Sequence, residues 1–90
     1  MATEEEQLHS ISRGRAAKVL LDDPTFKEAY ETTLGQLFAE FVAAETPDNQ
    51  IYDIWAQANA LGKFKRVLDA FVAHGKIEER NREQDLRKNK

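Results

Sequence analysis

Apolar positions recur at helical spacing in two long runs, Pro24 to Glu45 and Pro47 to His74, split by Thr46-Pro47-Asp48. In the first run Tyr30, Leu34, Leu37, Phe41 and Ala44 step by four, three, four and three, the spacing of a packed helix seam. Phe26, Phe38 and Val42 widen that stripe to roughly 160°, more than one neighbouring helix covers. In the second run Ile51, Ile54, Trp55, Ala58, Leu61, Phe64, Leu68, Phe71 and Val72 make a matching face. The aromatic residues sit at this spacing, so most are expected in the core. The linker between the runs is too short for anything but a tight helical hairpin, so the two helices are predicted to be antiparallel.

Punctuation residues set the ends. Asp23 is suited to cap the helix over 24–45, and Pro24 occupies a position where its missing N–H costs nothing. Thr46 and Pro47 are suited to the same tasks for the helix over 47–74. A weaker run over 3–21 predicts a shorter N-terminal helix. Thr3 caps it, with Glu6 three residues on, and Glu4, Glu5 and Glu6 suit its dipole. Gly14 and two serines weaken its middle, so a frayed start is expected, firming from about Arg13. His74-Gly75 predicts a C-terminal stop. Gly62 reads equally well as a close-approach position or as a tolerated glycine. The tail over 76–90 carries ten charged residues in fifteen, so it is a solvated helical extension or partly disordered. The fold class is therefore all-α. It comprises a long antiparallel helical hairpin, a shorter N-terminal helix and a charged tail, all within one domain over 1–90.

Composition narrows function chiefly by exclusion. The 90 residues include no cysteine, which removes disulfides, thiolate metal ligands and a thiol nucleophile. His9 and His74 stand apart and without zinc-binding spacing, and no glycine-rich phosphate loop surrounds Gly14. The expectation is a protein without catalytic, cofactor or metal residues. No apolar run reaches the ~20 residues of a membrane span, and the acidic start is unlike a secretory signal. A cytoplasmic location is expected, and a membrane is not expected as a partner.

Charge is distributed unevenly. Residues 1–50 hold four Lys/Arg against ten Asp/Glu, and residues 51–90 hold nine against six. Two basic clusters, Arg13, Arg15 and Lys18 in the first helix and Lys63, Lys65 and Arg66 in the third, are candidate contact residues. Nucleic acid is their less favoured partner, because such proteins are usually strongly basic and no compact helix-turn-helix is visible. Tyr52, if exposed beside Trp55, is a candidate anchor for a protein partner. The surplus apolar surface requires a cover: the chain's own first helix, a second copy, or another protein. A dimer or larger assembly is the preferred expectation.

One stretch, Arg13-Gly14-Arg15-Ala16-Ala17-Lys18-Val19-Leu20-Leu21-Asp22-Asp23-Pro24-Thr25-Phe26-Lys27-Glu28-Ala29-Tyr30, resembles small helical proteins encoded by tailed bacteriophages. Trp55 and Leu61-Gly62-Lys63-Phe64-Lys65-Arg66-Val67-Leu68 are similar to a second block of that group, with the likeness covering residues 13 to 76. Tyr30 stands where the group has phenylalanine. The resemblance implies no catalytic residue. It implies an accessory role in virion assembly or DNA packaging, in the cytoplasm of a bacterial host or associated with the virion. A DNA-binding packaging factor resembling a small terminase subunit is the first alternative. A small inhibitor of a host enzyme or defence complex is the second.

Overall fold

The computed structural model describes residues 3–43 and 45–88. Three helices account for nearly all of them: α1 (Glu4–Asp22), α2 (Pro24–Phe41) and α3 (Asp48–Lys88). The fold is all-α. By packing, the chain divides into two units, one of Met1–Leu21 with Val67–Lys90 and one of Asp22–Arg66. The first part of α3 pairs with α2 and the remainder pairs with α1. Ala44, expected in the α2 seam, and the end of the tail at Asn89 and Lys90 lie outside the described residues.

In the Asp22–Arg66 unit, α2 starts as its sequence dictates. The Asp23 carboxylate accepts from the Phe26 amide at 2.9 Å, and Pro24 takes the first turn. Replacing Asp23 with alanine is expected to cost about 1 kcal/mol, read as a lowered melting temperature. The far end of α2 departs from expectation, closing at Phe41 rather than Glu45. The Val42 amide still bonds the Phe38 carbonyl at 3.0 Å, but Ala43 bonds Glu40 and Thr46 bonds Ala43 in successive tighter turns. Thr46 has a different task from the one expected: its hydroxyl donates to the Glu40 carbonyl at 2.7 Å, satisfying the end of α2. At the start of α3 the Pro47 carbonyl accepts from Gln50 and Ile51, both at 3.0 Å, so Pro47 precedes the helix. Leu37 and Ile54 are the buried apolar residues of this hairpin, with Tyr30, Leu34, Ile51, Ala58 and Leu61 half-buried.

In the other unit α1 runs antiparallel to the second part of α3. Its N-terminus is the reciprocal cap expected: Glu6 N–H donates to Thr3 Oγ1 at 3.1 Å, and Thr3 N–H donates to Glu6 Oε2 at 3.3 Å. The helix is continuous through Gly14 rather than frayed before Arg13. Ser10, Ile11, Gly14 and Ala17 form its buried stripe, mostly small residues one turn apart. Against them lies Gly75, also buried.

Gly75 does not stop a helix, because α3 passes through it to Lys88. None of the described glycines has a positive φ, the conformation a glycine stop uses. Its role is close approach instead. A Cβ at Gly75 would lie 3.0 Å from the Gly14 Cα and 3.1 Å from the Ser10 carbonyl oxygen. Beyond the crossing, Arg15 pairs with Glu79 at 2.8 Å and Arg82 reaches Glu4 at 3.5 Å. The segment expected as a separate tail is therefore, at least as far as Arg82, half of a helix pair. Gly62 proves to be a tolerated glycine, its nearest neighbour the flexible Arg66 guanidinium at 3.5 Å.

Candidate protein-contact surface

The expectation that most aromatic residues are core is overturned in the Asp22–Arg66 unit. Phe38 is 67% exposed, Trp55 56% and Phe64 53%. A hairpin of two helices has one interface, and a stripe much wider than that interface leaves its margins in water. Phe38 and Phe41 flank Leu37 on one side of the seam, and Trp55 flanks Ile54 on the other.

The result is an apolar groove of about 330 Å³. Leu34, Leu37, Phe38 and Phe41 of α2 form one wall. Ile54, Trp55 and Ala58 of α3 form the other, and the described lining carries no polar side chain. Small-molecule sites combine apolar walls with a few placed polar groups that orient the ligand. This groove offers walls alone, with exposed aromatics at its lip. Among known recognition modes, hydrophobic grooves receive the apolar face of an amphipathic helix.

Tyr52 stands where the sequence suggested, exposed on the first turns of α3. Its ring lies 5.9 Å from that of Trp55 in a tilted arrangement, which extends the aromatic lip. No known protein family, curated protein or solved structure matches this chain. The surface must therefore be read from its own chemistry.

The basic candidates separate into two groups. Lys63 and Arg66 are exposed on the same helix as Trp55 and Tyr52. The Lys65 ammonium is exposed and lies 5.7 Å from the centre of the Tyr30 ring, at the edge of the α2–α3 seam. The α1 residues have structural partners. The Arg13 guanidinium sits 4.1 Å over the Phe71 ring, and its Nη2 is 3.4 Å from His74 Nδ1. Arg15 is paired with Glu79, and Lys18 is exposed on the same helix with an interaction of its own. Arg13 and Arg15 thus join α1 to α3, which weakens the case for a phosphate-binding stripe on α1.

Sequence reasoning missed the Gly14–Gly75 crossing. The signal was present as Ser10, Gly14 and Ala17 on one face of α1, but small residues in a weak helix read first as poor helix formers. Among the described residues no group of three or more His, Asp or Glu is placed to hold a metal ion. No described helix is long and apolar enough to cross a membrane.

Proposed function

We propose that this chain is a non-enzymatic protein that works through helix-mediated contacts with other proteins, using the α2–α3 groove as its contact surface. The observation that carries this reading is the exposed aromatic lip of Phe38, Phe41 and Trp55 above an apolar floor. Exposed apolar surface of this continuity is costly in water unless something covers it. The resemblance of residues 13 to 76 to small tailed-bacteriophage proteins supplies the proposed setting, virion assembly or DNA packaging within a bacterial host.

A photo-crosslinking amino acid tests the surface. Placed at Phe38 or Trp55, it is expected to give discrete protein adducts in cells producing the protein. Placed at Thr32, exposed on α2 outside the groove lining, it is expected to give none above background. Equal labelling at all three positions would remove the groove from the argument. Adducts with capsid or packaging proteins support the assembly setting, whereas a host enzyme as the main adduct replaces it with the inhibitor reading.

A further inference from the structure

We propose that His74 is a proton-sensitive latch on α1. Neutral, it accepts a hydrogen bond from Arg13 of α1. Protonated, it exchanges that partner for Glu78 of its own helix, and α1 is held less firmly. The latch lies in the α1–α3 unit and does not involve the α2–α3 groove.

The positions of the heavy atoms fix the proton. Arg13 Nη2 is 3.4 Å from His74 Nδ1, and His74 Nε2 is 3.7 Å from Glu78 Oε1. A guanidinium carries donors only, so the nitrogen that faces it accepts through its lone pair. The ring proton is therefore on Nε2, toward the carboxylate. A second proton, on Nδ1, sets donor against donor and cation against cation.

Arg13 is poorly placed to yield. Its guanidinium is stacked 4.1 Å over the Phe71 ring, and its Nε is enclosed without a hydrogen-bond partner among the described residues. The histidine is the freer group, with its side chain 50% exposed. It turns toward Glu78, one turn along α3, whose side chain is only 13% exposed. The Glu78 contact lies within α3 and is available whether or not α1 is docked. The Arg13 contact exists only when α1 is docked. Protonation thus removes a bond between helices and strengthens one inside a helix, which disfavours docking.

Three further titratable groups, Glu5, Glu6 and His9, line the same cavity. Glu6 accepts from the Thr3 amide, and both carboxylates lie two turns along α1 from Arg13, about 10 Å. The α1 group that meets His74 at hydrogen-bonding range is therefore Arg13. His9, exposed one turn from Arg13, also gains a proton in acid and requires its own control.

The experiment is amide hydrogen exchange followed by NMR on the full chain, corrected for intrinsic rates, at about pH 8 and about pH 5.5, across which histidine changes charge. On acidification the buried α1 amides of Ile11, Gly14 and Ala17 are expected to lose protection roughly two- to fivefold relative to Leu37 and Ile54, in keeping with the modest worth of half-exposed charged contacts. His74→Asn keeps an acceptor near the Nδ1 position and does not titrate, so its α1 protection is expected to be level across the two conditions. His9→Gln is expected to keep the wild-type response. The ring nitrogen spectrum of the wild type is expected to show His74 protonated on Nε2 alone at the higher pH, a reading that needs no variant to fold. An unchanged ratio of protection overturns the latch. A response that survives in His74→Asn, or vanishes in His9→Gln, overturns it as well, and so does a proton on Nδ1 at the higher pH.

Discussion

Replacing Gly14 with alanine is expected to destabilise the helix pair of α1 and α3 by about 1–2 kcal/mol, although alanine is the better helix former. Intrinsic propensity favours alanine over glycine by roughly 1 kcal/mol in a helix interior. Packing opposes it. The added methyl would lie 2.7 Å from the Phe71 carbonyl oxygen and 3.0 Å from the Gly75 Cα, and both of those are backbone. Backbone cannot rotate away as a side-chain tip does, so the helices must separate, and overpacking of this kind costs about 1–3 kcal/mol. Separation also loosens the Arg13 stack on Phe71 and the Arg15–Glu79 pair.

The internal control is Gly35→Ala on α2, where nothing lies within 4 Å of the added methyl. That variant is expected to gain up to about 1 kcal/mol from propensity alone. In a chain of this size 1 kcal/mol moves the melting temperature by roughly 4–8 °C, so melts followed by circular dichroism should shift in opposite directions. A Gly14→Ala protein that melts higher than wild type would show that the crossing is wider than described.

Leu37→Ala is expected to be the most damaging single truncation in the hairpin, at about 2–3 kcal/mol. Leu37 is 8% exposed at the floor of the groove, so its methyl groups are fully engaged. Leu→Ala changes in cores cost about 2–5 kcal/mol, and the open side of the groove sets this one at the lower end. Phe38→Ala, one residue along, removes a larger side chain and is expected to change the stability of the monomer by less than about 0.5 kcal/mol. Phe38 is 67% exposed, so its removal leaves no cavity.

The two variants therefore separate fold from contact. Leu37→Ala should lower the denaturant midpoint at every protein concentration. Phe38→Ala should leave the midpoint of the isolated chain nearly unchanged and instead reduce cross-linking at the groove.

Much of this architecture was legible along the chain. The alternation of three- and four-residue steps from Tyr30 to Phe41 requires a helix with one apolar stripe. Asp23-Pro24 and Thr3 with Glu6 mark helix starts whose hydrogen bonds the structure contains. The brevity of the 42–47 linker makes α2 and α3 antiparallel neighbours. These features are local, and local chemistry is written in consecutive residues. The basic and aromatic candidates were legible as residues but not as roles. Arg13 and Tyr52 look equally available in the sequence, yet one stacks on Phe71 while the other faces water beside Trp55.

By itself, then, the sequence determined three helices, their polarity in the hairpin, and an apolar stripe wider than one neighbour could cover. Tertiary structure alone decided what each glycine does. Gly75 has the same chemistry at a helix end and at a helix crossing, and only the presence of Gly14 opposite it selects the crossing and carries α3 on to Lys88. Tertiary structure also decided which part of the stripe stays open. Periodicity states how much apolar surface a helix presents, whereas pairing decides how much of it is covered. In the hairpin that pairing buries Leu37 and Ile54 and leaves Phe38 and Trp55 exposed.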